Sequence, residues 1–432
     1  MWKTKEAKWK RLDNAAKIFP AIAGREDSEV FRIACALHED VDPDMLQAAV
    51  DAAVEEHPSF TETIRAGVFW YYLEDTGFRP KVHEETDSPL QPLYDERNKL
   101  LIDISYYKKR INLEIFHAIA DGTGALIFFR TILANYLTFA HAEELRDVRI
   151  ERYDSTEREK AADGFTEYFE PEKGSSTNFE FLGSKTDKVK VYRFSEGRAP
   201  DCRQLVTEGE MSVAQIKKAA KAEGATITEF ICALLIQSIH SAMRRQDYGK
   251  TISIAVPVNL RNYFSSHTLR NFFGMIEIRY NFEKEQPHEL GDIIKSVRTS
   301  FEHELTRENM EQKIASQVKM ERHPIVRVCP LVLKDLIMVI LQGVSMKRRT
   351  ICLSNVGRIE MQPELAKYID CFDIFNSSSK RQVCMCSFGD SMVISFSGVL
   401  AEHDVERAFF RSLAKYDENL TISTNYSAKE FE

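Results

Sequence analysis

His117, Asp121 and Gly122 form the stretch of this chain with the clearest capacity for chemistry. A histidine has an unperturbed pKa of about 6.5, so much of it is neutral near pH 7 and can accept a proton from an attacking hydroxyl or amine. An aspartate four residues further on can fix the imidazole tautomer or hold the loop through an ion pair. On these residues alone, a core histidine followed by a loop aspartate is at least as good an interpretation.

The segments on either side predict a rigid corner for His117. From Arg110 to Phe116 apolar and polar side chains alternate, which is the period of a β-strand. From Ala125 to Phe139 the apolar residues recur at helical spacing. Gly122 and Gly124 precede that helix and allow backbone conformations that a side chain would forbid. We therefore expect His117 between a strand and a helix.

Three further parts of the chain accompany residues 117–122, namely Leu46 to Thr63 with His57-Pro58, Pro257 to Arg261 followed by Asn271 to Gly274, and Leu353 to Gly357. In order and spacing these segments resemble the coenzyme-A-dependent acyltransferase superfamily, which includes chloramphenicol acetyltransferases, alcohol acetyltransferases, plant acyltransferases and nonribosomal peptide condensation domains. Residues 117–122 resemble its HxxxDG motif. Residues 353–357 resemble the SNVG-type strand of the alcohol acetyltransferase branch. Many condensation domains have a second histidine directly before the first, and Phe116 stands there in this chain.

The resemblance implies an α/β (α+β) fold of two chloramphenicol-acetyltransferase-like subdomains, each a mixed sheet with flanking helices, and a tunnel at their interface. We predict an N-terminal subdomain over residues 1–180, which carries the motif, and a C-terminal subdomain over residues 181–432. Residues 150–188 are charged and rich in Glu, Ser, Gly and Thr, which is typical of a crossover between domains. A chain of 432 residues is too long for one ordinary domain.

The resemblance also assigns roles at the site. His117 would be the general base, and Asp121 would point away from the substrate and pair with an arginine, for which Arg261 is the candidate. An ordinary surface arginine is an equally good interpretation of Arg261. Gly122 would relieve crowding beside the substrate.

Two other groups of residues are weaker candidates. Ser354 and Asn355 could stabilise the oxyanion of a tetrahedral intermediate, or they could simply satisfy strand and loop backbone groups. Lys347, Arg348 and Arg349 are the best basic run for the phosphates of coenzyme A, although most such clusters are solvated faces.

The function expected from the resemblance is transfer of an acyl group from acyl-CoA, as co-substrate, to a small alcohol or amine acceptor, with no tightly bound cofactor. One alternative is a stand-alone condensation domain whose acyl donor is bound to a separate carrier protein. Another is a catalytically silent relative that binds a ligand or a partner in the same tunnel.

Composition and motifs exclude several other classes. The net charge of −8 disfavours nucleic acid as a partner. The N-terminus resembles no signal peptide, and charges interrupt the apolar segment from Val326 to Met346, so we expect a cytoplasmic protein without a transmembrane segment. None of the eight cysteines has zinc-ligand spacing, so no metal is expected. Hydrolase and nucleotide-binding motifs are also lacking.

Local signals predict several elements. Asp42 and Pro43 mark the start of a helix that runs to Glu56. Capping residues at Ser212 and Thr226 predict two helices separated at Gly224. Gly389-Asp390 predicts a two-residue hairpin turn, and a final helix is expected over residues 405–414.

Overall fold

The computed structural model describes residues 9–94, 100–170, 189–282 and 288–427. The strands are β1 (Trp9–Arg11), β2 (Val30–Leu37), β3 (Glu62–Ala66), β4 (Tyr71–Asp75), β5 (His83–Glu84), β6 (Ile102–Tyr107), β7 (Arg110–Phe116), β8 (Leu205–Ser212), β9 (Ile252–Asn259), β10 (Phe273–Tyr280), β11 (Ile351–Arg358), β12 (Ile369–Asn376), β13 (Arg381–Phe388), β14 (Ser391–Gly398) and β15 (Thr421–Thr424). The α-helices are α1 (Phe19–Ile22), α2 (Pro43–Glu56), α3 (Gly122–Ala140), α4 (Glu157–Lys160), α5 (Gly164–Glu167), α6 (Val213–Ala222), α7 (Ile227–Ala242), α8 (Leu290–Glu304), α9 (Arg307–Arg322), α10 (Pro324–Val328), α11 (Leu331–Lys347), α12 (Pro363–Ala366) and α13 (Asp404–Leu413).

These strands form three described sheets. The first lobe contains a five-stranded mixed sheet in the order β12-β2-β7-β6-β5. The second lobe contains a seven-stranded mixed sheet in the order β10-β9-β11-β13-β14-β8-β15. A small antiparallel sheet, β1-β4-β3, accompanies them. The predicted α/β class with two sheet-rich subdomains is therefore confirmed.

In the first lobe, α2 and α3 pack against each other and share one hydrophobic core with the five-stranded sheet. The predicted start of α2 is confirmed, because Asp42 caps it by accepting hydrogen bonds from the backbone N–H groups of Asp44 and Met45. Helix α3 is the hydrophobic centre of this lobe, with Phe128, Phe129 and most of its other side chains buried.

In the second lobe, α6, α7, α8 and α13 pack with the seven-stranded sheet. Thr226 and Glu229 form the predicted reciprocal capping box at the start of α7. Gly224 ends the preceding helix with φ of +63°, a conformation in which glycine avoids the strain of a side chain. The hairpin at residues 389–390 is also confirmed, since β13 and β14 pair directly around it.

One strand crosses between the lobes. β12 comes from the C-terminal part of the chain, yet it pairs antiparallel with β2 in the first sheet, and Phe372 belongs to the first lobe's core. The predicted boundary near residue 180 lies outside the described residues.

β3 and β4 form a hairpin, because the chain turns at Gly67 and pairs back on itself. Residues 189–193 contribute only an isolated bridge at Val191 to the described sheets. The apolar segment from Val326 to Met346 forms α10 and α11.

Helix α3 is the one described helix whose length and apolar character would suffice to cross a membrane, with 61% of its apolar window buried inside the protein. The core helix of a globular protein has the same properties, so this is weak support for a span. The consecutive helices α6 and α7 would together also be long and apolar enough to cross a membrane, but the chain bends by 80° between them.

Candidate functional site

A cavity of about 710 Å³ lies between residues of the two lobes. The first lobe supplies His117 and Gly122 to its wall, and the second lobe supplies Pro257 and Ser354. This volume falls within the roughly 300–1,000 Å³ of pockets that bind small molecules. A continuous tunnel through the protein stays a prediction.

His117 lies at the corner that the sequence predicts, directly after β7 and before α3. Its backbone N–H donates to the carbonyl oxygen of Glu29 at 2.8 Å. The half-buried imidazole ring stacks on Phe19, with the ring centroids 4.6 Å apart, and meets Phe31 at an angle. These contacts fix the ring at the cavity wall.

Asn271 sets the tautomer of His117. Its Nδ2 donates to the carbonyl oxygen of His117 at 3.0 Å, so its Oδ1 must face the imidazole, where it lies 3.1 Å from Nδ1. Because Oδ1 can only accept, Nδ1 of His117 carries the proton. Nε2 is therefore unprotonated in the neutral ring, and it has no hydrogen-bond partner among the described residues.

Burial lowers the pKa of His117 below its usual value. The negative charge of Asp121 and the hydrogen bond to Asn271 act in the opposite direction, because both favour the imidazolium form. A lowered pKa leaves the ring largely neutral at pH 7, which is the state that a general base requires.

Asp121 and Arg261 form an ion pair that joins the two lobes. Asp121 caps α3 by accepting from the backbone N–H of Gly124 at 2.9 Å. Its other oxygen accepts from Nη1 of Arg261 at 2.7 Å and from the N–H of Phe272 at 2.8 Å. Both side chains are about nine-tenths buried, so Arg261 is not a surface arginine. Asp121 is occupied in holding the loop and does not bond the His117 ring.

The two glycines of the loop differ in what surrounds them. A Cβ on Gly124 would lie 1.9 Å from the carbonyl oxygen of Leu269, a backbone atom that cannot yield easily. A Cβ on Gly122 would have a methyl group of Val356 as its nearest neighbour, at 3.8 Å, and would lie at the cavity wall. The fold therefore requires a glycine at position 124. A side chain at position 122 would instead occupy space in the cavity.

Ser354 and Asn355 both line the cavity on β11. The amide of Asn355 is already engaged, since Nδ2 donates to Thr228 at 2.8 Å and Oδ1 accepts from the N–H of Gly357 at 2.8 Å. The structure thus favours a local role for Asn355. The Ser354 hydroxyl has no hydrogen-bond partner among the described residues, which makes it the freer donor of the two.

The basic run predicted for phosphate binding is divided between two environments. Arg349 lines the cavity, whereas Lys347 is exposed and neither it nor Arg348 reaches the cavity wall. Lys380 and Arg381 also line the wall and were not among the predicted residues, but Arg381 is paired with Glu196 and Glu406. Burial and the nearby Arg349 lower the pKa of Lys380 to about 8.

Buried carboxyl groups near His117 also escaped the sequence analysis. Asp13 accepts from Asn271 at 3.4 Å, and burial raises its pKa to about 7. Asp27 and Glu29 line the cavity, and burial raises the pKa of Asp27 to about 6. Asn271 belongs to the segment 271–274 that the sequence analysis singled out. Asp13, Asp27 and Glu29 carried no sequence signal, because only folding brings them close to His117.

The fold is that of the acyltransferase superfamily, which includes the coenzyme-A-dependent acyltransferases and the condensation domains. The family model of alcohol acetyltransferases matches residues 103–386, about two-thirds of the chain. The chain therefore belongs to the alcohol acetyltransferase family. No curated protein matches the sequence.

Solved structures show the same two-lobed fold at low identity. The TRI3 trichothecene 15-O-acetyltransferase from Fusarium sporotrichioides is 10% identical with a TM-score of 0.61, and the match covers 96% of each chain. The first condensation domain of the CDA synthetase is 12% identical with a TM-score of 0.63, and the match covers 95% of this chain and 97% of that one. A mutant starter condensation domain of rhizomide synthetase, in complex with C8-CoA and Leu-SNAC, is 9% identical with a TM-score of 0.59 and 94% coverage of both chains.

Proposed function

We propose that this protein transfers an acyl group from acyl-CoA to an alcohol, with His117 as the general base. The observation that carries the proposal is the fixed tautomer of His117, which leaves an unprotonated Nε2 on a ring at the wall of a cavity between the lobes. Membership of the alcohol acetyltransferase family supports the choice of acceptor. A structural neighbour that holds C8-CoA supports the choice of donor.

The proposed reaction is a direct transfer. Nε2 of His117 removes the proton from the acceptor hydroxyl as the hydroxyl oxygen attacks the thioester carbonyl. The resulting tetrahedral intermediate carries an oxyanion, for which the Ser354 hydroxyl is the freest nearby donor on β11. The C–S bond then breaks, and the imidazolium returns the proton to the departing thiolate, so no acyl group becomes attached to the protein.

Arg349 and Lys380 are the cavity cations that could hold a phosphate of the donor. The protein as a whole has a net charge of −8, so phosphate binding needs such a local positive region. Lys347, which lies outside the cavity wall, serves as a comparison residue for this role.

The test is thiol release from acetyl-CoA and longer acyl-CoAs across a panel of alcohols and amines. The wild type should release thiol only when a suitable alcohol is present, and His117→Ala should lose at least about 100-fold in turnover. His240→Ala is the matched control, because this half-buried histidine also stacks on a phenylalanine ring, Phe282 at 3.7 Å, but does not line the cavity. Equal slow hydrolysis by the wild type and His117→Ala would reject the proposal.

The same assay separates the alternative donor. A carrier-bound acyl thioester and the corresponding acyl-CoA are offered at equal concentration with the same acceptor. Preference for the carrier-bound form would assign a condensation-type role, which the general likeness to condensation domains supports. Phe116 in place of their second histidine argues against that outcome.

A further inference from the structure

Helix α11 has two faces with opposite surroundings. One face lines the cavity that also contains His117, through three residues at four-residue intervals, Met338, Gln342 and Met346. Val332, Leu336 and Ile340 recur at the same interval on the other face, where their side chains are 83%, 57% and 57% exposed. A single helix thus separates the cavity from a bare apolar surface.

The apolar surface extends beyond α11. Nine of the nineteen exposed large hydrophobic side chains in the described part of the protein fall within residues 325–344. Val68 and Phe69 adjoin them, because the carbonyl oxygen of Val68 accepts from the N–H of Leu331 and that of Phe69 accepts from Nζ of Lys334. We use the term apolar surface for the exposed side chains of residues 325–344 together with Val68 and Phe69. Contiguous exposed patches of this kind mark interaction sites.

Charge around the apolar surface has the opposite sign to that of the whole protein. Residues 322–348 contain five Lys or Arg residues and one acidic residue, whereas the complete chain has a net charge of −8. The acidic residue, Asp335, accepts a hydrogen bond from Tyr71. Arg327 and Lys347 are exposed near the two ends of the apolar surface. An exposed apolar helix face bordered by basic side chains is typical of a helix that lies in the headgroup region of an anionic bilayer.

We propose that the apolar surface docks on a membrane rich in anionic phospholipids, with α11 lying parallel to the bilayer and not crossing it. The inner face of α11 stays in the protein, since Lys334 and Asp335 bond Phe69 and Tyr71 while Gln342 lines the cavity. A second copy of the chain fits the surface less well, because a symmetric contact would bring the two basic borders together. Docking would place the cavity wall at the membrane surface, where lipid-soluble acceptors or acyl donors are concentrated.

The test uses sedimentation with vesicles of phosphatidylcholine alone and of phosphatidylcholine with about 30% phosphatidylglycerol. The wild type should bind the anionic vesicles, and rising salt should weaken that binding. Val332→Glu/Leu336→Glu/Ile340→Glu should bind at least tenfold more weakly. Phe139→Glu/Tyr248→Glu/Ile422→Glu is the matched control, because it also places three glutamates at exposed apolar positions but outside the apolar surface, and it should bind like the wild type.

A charge variant tests the electrostatic part separately. Lys347→Gln/Arg348→Gln should weaken binding to anionic vesicles by about fivefold for each charge removed and reduce its salt dependence. Should the triple glutamate variant fail to fold, Val332→Glu alone is used, since that side chain is 83% exposed. Failure of the wild type to bind anionic vesicles, or equal binding by the glutamate variants of the apolar surface, would overturn the proposal. A dimer that these variants dissociate, without vesicle binding, would overturn it in favour of a second copy.

Discussion

Asn271 bonds His117 at two points, accepting from Nδ1–H of the ring through Oδ1 and donating to the backbone carbonyl through Nδ2. The two residues are 154 positions apart and come from different lobes. One fully buried amide therefore determines which nitrogen of the imidazole carries the proton, and it holds the ring together with Phe19 and Phe31.

The first prediction concerns the role of Asn271 in positioning. Asn271→Ala should lower kcat by roughly 10- to 100-fold, because a hydrogen bond to a charged ring contributes about 1.5–3 kcal/mol. The hydrogen bond also raises the pKa of His117, so its loss should lower that pKa further. Because the base must be neutral, activity falls as the pH drops through the pKa of His117, and the acid limb of the kcat/KM profile should move to lower pH.

Asn112→Ala is the matched control for Asn271→Ala. Asn112 is also fully buried, but its amide bonds Glu85 and Ser105 within the first sheet. This control should lose stability and keep the wild-type pH profile. An Asn271→Ala protein whose pH profile and kcat equal those of Asn112→Ala would refute the positioning role.

The second prediction tests the buried ion pair. Asp121→Asn should lower the free energy of unfolding by about 3 kcal/mol, because Arg261 would be left buried without its counter-charge. Turnover should fall as well, since Asp121 also holds the N–H of Phe272 directly beside Asn271. Chemical denaturation and the thiol-release assay measure the two effects.

Asp42→Asn provides the comparison for Asp121→Asn. Both aspartates cap a helix, and asparagine caps a helix about as well as aspartate does. Asp42 has no ion-pair partner in the described structure, so this exchange should change stability by less than about 0.5 kcal/mol. Full activity and an unchanged melting temperature in Asp121→Asn would reject the assigned role of the ion pair.

The third prediction separates the two glycines of the loop. Gly124→Ala should cost more than about 3 kcal/mol of stability, because its methyl group would collide with the backbone of Leu269. Gly122→Ala should fold with an unchanged melting temperature, since its methyl group would lie 3.8 Å from Val356, an ordinary van der Waals distance. Its methyl group should instead raise KM for the bulkier acceptors. The reverse order of melting temperatures would contradict the close approach of Gly124 to the backbone of Leu269.

The fourth prediction tests whether Arg349, one of the cations at the cavity wall, holds a phosphate of the donor. Arg349→Glu should raise KM for acyl-CoA about tenfold or more with little change in kcat, because it reverses a charge at the cavity wall. Lys347→Glu is the control with the same charge change outside the cavity wall, and it should leave KM within about twofold in a membrane-free assay. Equal values of KM for the two variants would argue against a phosphate at Arg349.

The fifth prediction concerns stability at acid pH. His57 is fully buried, and Nε2–H donates to Thr131, whose hydroxyl in turn donates to the carbonyl of Ile127. Among the described residues Nδ1 has no hydrogen-bond partner, and burial, together with the positive charges of Lys160 and Arg152, lowers the pKa of His57 to about 4. Protonation of this ring in the folded protein is therefore unfavourable.

The direction of this effect follows from the two pKa values. The unfolded chain takes up a proton at a pKa of about 6.5, before the folded protein does, so stability falls as the pH drops from about 6.5 towards 4. Between pH 7 and pH 4.5 the free energy of unfolding should fall by about 2 kcal/mol more in the wild type than in His57→Gln. Urea denaturation at both pH values measures this difference. Equal losses would show that His57 titrates normally in the folded protein.

Local sequence signals predicted the elements that depend on neighbouring residues. The helix over residues 43–56, the reciprocal cap at Thr226 and the hairpin at residues 389–390 formed as expected, because caps, turns and amphipathic periods act within a few residues. The pairing of β12 with β2 was not predictable in this way. Strand pairing across distant positions depends on which apolar faces meet in the folded chain.

The amino-acid sequence by itself determined the corner that carries His117, the glycines beside it and the family resemblance, because these depend on residue type and short spacing. Only the tertiary structure decided that Asn271 fixes the tautomer of His117 and that Arg261 is buried against Asp121. It also decided that Arg349 lines the cavity whereas Lys347 and Arg348 do not. Hydrogen bonds and ion pairs act over a few ångströms, so partners separated by more than a hundred residues become neighbours only when both lobes are packed.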